Sequence, residues 1–137
     1  LQAAHSQNFW ASIRDAEPVA RQSGQIWRLS VAPSNALTVV DALRRNGAPL
    51  HAHFYDWAGG LIWLAFAPAP DAHAPLVRAA VDAVGGHATL IRADDAVRAH
   101  VEVFHQQPAA LAALSQRVKD AFDPAHVLER GRMRAEF

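Results

Sequence analysis

The chain has 137 residues, of which 51% are hydrophobic, a length and composition that predict one globular domain with a buried core. Its 13 basic and 13 acidic side chains give a formal net charge of +0, which argues against electrostatic binding to nucleic acid or to an anionic membrane surface. The absence of Cys excludes disulfides and thiolate chemistry and is typical of a cytoplasmic protein. The chain opens on Leu1 without a signal-peptide pattern, which indicates a domain excised from a longer chain.

The first half of the chain predicts four elements from the spacing of its apolar residues. Phe9, Trp10 and Ile13 are expected to share one side of a first helix, which Glu17-Pro18 is expected to end. The predicted elements are a helix at 6–15, a strand at 25–31, a helix opened by residues 33–35 and stopped at Asn46-Gly47, and a strand at 50–57.

The second half repeats this pattern after a Gly-Gly turn at 58–60. The run 61–66 is apolar on both faces, which predicts a central strand. A last helix is expected to stop at Asp123, because the residue before a proline avoids helical backbone angles. The predicted elements are strands at 61–66, 87–92 and 101–104, a helix from Pro75 to Gly85-Gly86, and a helix from Pro108 to Asp123.

The order of these elements is β-α-β, a tight turn, and again β-α-β, with about thirty residues in each half. This order predicts an α+β fold of the ferredoxin-like split βαβ type, in which helices cover one face of an antiparallel four-stranded sheet. The core of that fold is expected at about 25–93. Residues 1–137 are interpreted as a single domain, in which extra helices pack around the core and residues 108–137 form a C-terminal helix and tail.

Four short motifs resemble, in the same order, motifs of the FAD-binding subunits of bacterial glycolate oxidases, which are FAD-linked oxidases of the vanillyl-alcohol oxidase type. Residues 27–33 (WRLSVAP) resemble WR(L/I)SVPP, and residues 56–64 (DWAGGLIWL) resemble DWGGAQRWL. Residues 85–89 (GGHAT) match GGHAT in place, and residues 122–133 (FDPAHVLERGRM) resemble FDPxGVFNPGRM. Their common order makes the resemblance more specific than any one motif.

This resemblance implies the C-terminal cap domain of such a subunit, with the FAD-binding domain lying N-terminal to it and absent from this chain. It implies oxidation of glycolate, a small 2-hydroxy acid, to glyoxylate, with electrons passing to FAD. It also implies a complex with a larger flavoprotein subunit and an iron–sulfur subunit, located in the cytoplasm and associated with the membrane through that complex. Neither Gly59-Gly60 nor Gly85-Gly86 has the form of a phosphate cradle, so the isolated chain is expected to bind FAD weakly or not at all and to be inactive.

The resemblance places Gly131 and Arg132 nearest the cofactor. Arg132 is interpreted as a flavin-side or interdomain contact, with a surface arginine lying over apolar packing as the alternative. Glu129-Arg130 stands where the family has Asn-Pro, which removes an amide and favours a structural tie at this point. A guanidinium can also hold a substrate carboxylate through two hydrogen bonds, and Arg28 is expected on a solvated sheet face instead. The candidates for that contact are Arg28, Arg92, Arg130, Arg132 and Arg134.

His51 and His53 lie two apart on a predicted strand, so both are expected to point to one face, where they could share a metal. No third ligand lies nearby in sequence, so an ordinary strand face is the favoured interpretation and no metal site is predicted. Related 2-hydroxyacid dehydrogenases resemble HxGDGNxH at the turn corresponding to 56–63, and the histidines of that pattern are missing here. Their absence indicates that a partner subunit performs the main chemistry. The remaining histidines considered are interpreted as a strand start (His87) or as solvent-facing (His100 and His105).

A second interpretation of the same fold is a non-catalytic ferredoxin-like module for ligand binding or assembly, because a fold does not fix a function. A cap domain on its own would expose apolar surface, so dimerisation of the isolated chain is expected. Tryptophans could mark such an interface or a ligand face, or they could serve core packing. They are Trp10, Trp27, Trp57 and Trp63.

Overall fold

The computed structural model describes residues 3–128 and 131 and confirms the predicted α+β fold. Four strands form one sheet, and six helices surround it. Short 3-10 turns at Pro33–Asn35 and Trp57–Gly59 precede α3 and β3. The elements are α1 (Ala3–Arg14), α2 (Glu17–Ala20), β1 (Gln25–Ser30), α3 (Ala36–Arg45), β2 (Leu50–Asp56), β3 (Leu61–Phe66), α4 (Ala74–Asp82), β4 (His87–Arg92), α5 (Asp95–Arg98) and α6 (Ala109–Phe122).

The sheet has the strand order β2-β3-β1-β4, and every neighbouring pair is antiparallel. Strand β3 therefore lies between β1 and β2, as a split βαβ unit requires. Strand β1 is central and pairs with β3 on one side and β4 on the other. The two edges of the sheet are β2 and β4.

The main core lies between the sheet and helices α3 and α4. The alternation along β1 sends Trp27, Leu29 and Val31 to this face, where all three are buried. Helix α3 adds Val39, Val40 and Leu43, which recur at helical spacing. Burial of these apolar side chains supplies most of the driving force that holds the two helices on the sheet.

The opposite sheet face is only partly covered. Val19 of α2 packs with Ile26 and Ala65 at one end of this face. Phe54 and Trp63 pack against the same cluster, and their rings stack in parallel with their centroids 6.2 Å apart. Within α1 and α6, both of which are described throughout, no residue is buried. Several large apolar side chains of these helices are exposed, namely Phe9, Trp10, Leu111, Leu114, Val118 and Phe122.

The strand predicted at 101–104 was wrong. This segment runs beside β4 but joins it through a single backbone hydrogen bond, from Leu90 N–H to Val103 O (2.9 Å). The carbonyl groups of Glu102 and Phe104 instead accept hydrogen bonds from the guanidinium of Arg78. Along the β4 edge, Ala88 N–H donates to the side chain of His105 and not to a backbone carbonyl, so no regular ladder continues there.

Two short helices were missed in the sequence. Glu17-Pro18 was expected to end the first helix, but it begins α2, because a proline fits the first turn of a helix, where its missing N–H costs nothing. Helix α5 lies just after β4, in a stretch without clear periodicity. None of the described helices is long and apolar enough to cross a bilayer.

Candidate functional site

Three of the four motifs meet at one end of the sheet, where β1 and β2 end and β3 and β4 begin. Val31 N–H, just after β1, donates to Gly60 O in the β2–β3 turn (3.2 Å). Asn35 Nδ2 donates to Val84 O at the end of α4 (3.3 Å). Residues 27–33, 56–64 and 85–89 are thus joined in space although they are far apart in sequence.

Close packing explains the glycines at this end. A Cβ atom at Gly86 would lie 2.5 Å from Ser30 O and 2.8 Å from Val31 Cγ1, closer than real Cβ contacts allow. Gly59 has φ +96°, and a Cβ there would lie 3.2 Å from both Pro33 O and the Ala36 Cβ. These glycines let the backbone segments approach each other.

The turn also holds two non-glycine residues in left-handed conformations, Trp57 (φ 49°) and Ala58 (φ 54°). Such conformations carry strain and persist when the surroundings fix them. Here Asp56 Oδ1 accepts a hydrogen bond from Trp57 N–H (2.7 Å), and Trp57 O accepts one from Gly60 N–H (3.0 Å). The turn presents the indole of Trp57 to solvent, with 76% of the residue exposed.

A cleft opens beside the motif end, and we call it the β4 cleft. It consists of two adjoining depressions, each of ≈ 450 Å³, which share Gly86 and residues 105–108. It runs from the end of α4, past the start of β4, to the first turns of α6. Its lining residues are Arg78, Asp82, Gly85, Gly86, His87, Thr89, Phe104, His105, Gln106, Gln107, Pro108, Leu111 and Ser115.

His105 is held in the β4 cleft at both ring nitrogens. Its Nδ1 accepts a hydrogen bond from Ala88 N–H (3.3 Å), and its Nε2 lies 2.8 Å from Asp82 Oδ1. An acceptor at Nδ1 places the ring proton on Nε2, so the neutral imidazole donates to Asp82. The expectation that His105 faces solvent was wrong: only 12% of its side chain is exposed, because it closes the outer edge of β4.

No role was predicted from the sequence for Arg78, which lies among apolar residues of α4. Its guanidinium carbon lies 5.6 Å from the ring centroid of Trp27, and its Nη1 donates to Phe104 O (2.9 Å). Its Nη2 also donates to Glu102 O. The available signal was a cation on the face of α4 whose other residues are apolar and typical of a core. A charge in such a position needs a partner.

The candidate anion-binding arginines within the described residues have different surroundings. Arg28 is exposed on the open sheet face, as expected. Arg92 is tied to the loop between α2 and β1, where it donates to the carbonyls of Ala20 (2.8 Å), Gln22 and Gly24 (3.2 Å). Its hydrogen bonds therefore serve the fold. Arg130, Arg132 and Arg134 lie outside the described residues, as does Glu129.

Asp123 organises the tail. The sequence predicted only that it ends the last helix. Its carboxylate accepts hydrogen bonds from Val127 N–H and Leu128 N–H (3.0 Å each) and from Lys119 Nζ. These bonds, that of Lys119 first, lower the pKa of Asp123 to about 2. Gly131 lies further on in a turn, exposed and with φ +67°, and its predicted contact with a cofactor stays a prediction.

The histidine pair on β2 does not have the expected regular setting. The register of the β2–β3 ladder shifts between Leu50 and Ala52, which interrupts the two-residue period at His51. His53 packs its ring edge-on against Tyr55, with centroids 5.4 Å apart, and burial lowers its pKa. Within residues 3–128 and 131, no group of three or more His, Cys, Asp or Glu side chains is placed to hold a metal ion.

The other histidines and tryptophans fall into distinct surroundings. His87 begins β4 and lines the β4 cleft, and the imidazole Nε2 of His100 lies 3.0 Å from Pro70 O.

Trp27 is fully buried in the core, whereas Trp10 of α1 is 63% exposed. Trp63 is half-buried against the smaller core cluster, so core packing accounts for Trp27 and contributes to the setting of Trp63.

Comparison with known proteins relates this chain to an oxidase. It is 32% identical over 129 residues to the glycolate oxidase subunit GlcE of Escherichia coli (strain K12). The aligned stretch covers 93% of this chain and 31% of that protein, so the chain spans about a third of the length of its relative. No family model matches the chain, and no solved structure matches it significantly. The match supports a domain related to part of an oxidase subunit.

Gly86→Ala should destabilise the motif end, because the added Cβ would press against the backbone of β1. We expect a loss of about 1–3 kcal/mol, measured by thermal or denaturant unfolding. Gly85→Asn is the matched control, since a Cβ there meets nothing within 4 Å and Asn tolerates a left-handed backbone. Equal stability of Gly86→Ala and the wild type would contradict the packing account.

The tail should loosen in acid. The pKa of Asp123 in the folded protein is lower than its ordinary value, so its stabilising contribution is complete above about pH 4 and is lost as the pH falls through about 2. We expect protection of the Val127 and Leu128 amides from hydrogen exchange to decline across this range. Asp123→Asn should remove it at neutral pH, whereas Asp41→Asn, at an exposed carboxylate of α3, should keep it. Protection that is independent of Asp123 at neutral pH would refute this role.

Proposed function

We propose that this chain is the C-terminal cap domain of the FAD-binding subunit of a glycolate oxidase. In this proposal the whole enzyme oxidises glycolate to glyoxylate and passes electrons to FAD, in a complex with a larger flavoprotein subunit and an iron–sulfur subunit. The observation that carries the proposal is the 32% identity to GlcE across 93% of the chain. Because the chain spans 31% of GlcE, the activity belongs to the longer protein in which such a domain occurs.

The geometry of the motif end supports this assignment. Segments that resemble the family in sequence contact each other here through the Val31–Gly60 hydrogen bond and the packing of Gly86 on β1. A resemblance that arose by chance would have no reason to collect at one end of the sheet. The motifs thus correspond to positions that build the domain, which favours a shared fold with the relative.

The described residues do not fit the pyrophosphate of FAD. Such a cradle needs free backbone N–H groups at a Gly-rich loop or a helix N-terminus. Gly59 and Gly86 are instead packed against neighbouring backbone, and Gly60 N–H already donates to Trp57 O. We therefore assign no step of flavin chemistry to this part of the enzyme, and propose that FAD is held by another domain of the subunit.

The domain's own contribution is proposed to be positional. His105, Arg78 and Arg92 are all committed to hydrogen bonds within the fold. The tail, anchored by Asp123, leads directly to Gly131 and Arg132, which by resemblance lie on the cofactor side. By the same resemblance, Arg132 supplies a positive charge to the flavin or to the interdomain contact.

The proposal is tested by expressing the full-length subunit with its presumed partner subunits and measuring dye reduction that depends on glycolate. We expect activity and bound flavin in the complex, and no flavin binding by residues 1–137 alone in a fluorescence titration. Arg132→Met should lower the rate or the flavin content more than Arg134→Met, its neighbour in the tail. A complex without flavin or glycolate-dependent reduction would overturn the proposal and favour a non-catalytic assembly module.

A further inference from the structure

The rest of the chain packs differently against the two edges of the sheet. The outer edge of β4 is covered: Leu90 N–H donates to Val103 O, and Ala88 N–H donates to His105. A sheet edge that stays uncovered presents unpaired N–H and C=O groups to any other strand. Covering β4 removes it as a docking edge.

The outer edge of β2 has no such cover. Within residues 3–128 and 131, the strand Leu50–Asp56 forms its ladder with β3 alone. At seven residues it is also the longest strand of the sheet, which gives it room for several intermolecular backbone hydrogen bonds.

The sequence of β2 lacks most of the devices that block edge pairing. Such devices include lysine, proline and charges along the strand. β2 reads LHAHFYD, without Lys, Arg or Pro, and its one carboxylate, Asp56, lies at the end. The register shift near His51 disturbs the first residues only and leaves Ala52 to Asp56 regular.

The side chains of β2 are compatible with a second copy of the same strand. Two-fold antiparallel pairing centred on Phe54, the middle of the regular stretch, places His53 opposite Tyr55 and Asp56 opposite Ala52. Imidazole then faces phenol, and no like charges are opposed. His53 already packs edge-on against Tyr55 within one chain, and the same kind of contact is available between chains.

We propose that two copies of this chain associate through the outer edges of β2, in antiparallel register, to form a continuous eight-stranded sheet. The partner is a second copy of the chain, and the interface is backbone pairing flanked by His53, Phe54 and Tyr55. The covered β4 edges lie at the far ends of the joined sheet. The proposal is independent of the flavin-dependent activity and of the proposed complex partners.

The test uses Tyr55→Lys, which places an ammonium group on the half-exposed rim of the strand. We expect the wild type to shift from monomer to dimer between about 1 and about 100 µM, and the variant to dimerise about tenfold more weakly or not at all. The readout is mass from light scattering or sedimentation. Leu111→Lys is the matched control, because Leu111 is a similarly exposed apolar residue on α6, and it should leave the dimer unchanged.

Hydrogen exchange gives a second readout that does not depend on the variant folding. Within residues 51–56, the amides whose N–H groups point away from β3 should gain protection as the wild-type concentration rises, while the Leu90 amide stays as it is. A wild type that stays monomeric at about 100 µM would overturn the proposal. So would a dimer that Leu111→Lys abolishes and Tyr55→Lys does not, because association would then run through α6.

Discussion

The placement of the segment after β4 depends on the contact between the buried ring of Trp27 and the guanidinium of Arg78. Trp27 is fully buried at the centre of the sheet, its indole N–H donates to Ala72 O (2.8 Å), and Arg78 lies over its ring. The same guanidinium holds the carbonyls of Glu102 and Phe104, so the segment after β4 is tied to the core through one side chain. That tie brings His105 to the edge of β4 and shapes the β4 cleft. A charge inside an apolar stripe is tolerated here because an aromatic face and two carbonyls satisfy it.

The motif end depends on a second close contact. The β1–β4 ladder pairs Ser30 with His87, which brings the chain just before β4 so close to β1 that a glycine is required at Gly86. The β2–β3 turn closes on the same end through Gly60 and Val31. The ionisable side chains nearby are hydrogen-bonded within the fold. This part of the molecule therefore presents a contact surface and not a group of free acids and bases. That character agrees with a domain that positions others in a larger enzyme.

The sequence was sufficient for the architecture and insufficient for the site. Alternation in β1 and helical spacing in α3 report burial directly, so the strands, the main helices and the split βαβ order were predicted correctly. In the segment 101–104, side chains take part in hydrogen bonds where a strand would use its backbone. The periodicity of the sequence does not show this replacement, so the segment was predicted to be a strand. The roles of Arg78 and His105 depend on partners that are distant in sequence, such as Trp27 for Arg78, and only the cation within the apolar stripe of α4 pointed to one of them. The partners of Asp123 are close in sequence, but its interpretation as a helix stop did not include them. The cofactor prediction at Gly131 and Arg132 rests on resemblance alone.

Arg78, placed over the ring of Trp27, holds the 101–105 segment against β4. Amide hydrogen exchange at Leu90 and Ala88 measures this directly, because both N–H groups are bonded only to that segment on the outer side. In Arg78→Met, which keeps an apolar side chain over Trp27, the account predicts that exchange at both amides accelerates by about tenfold or more while Leu29 in the sheet centre stays protected. Unchanged protection at Leu90 and Ala88 in the folded variant would contradict the account.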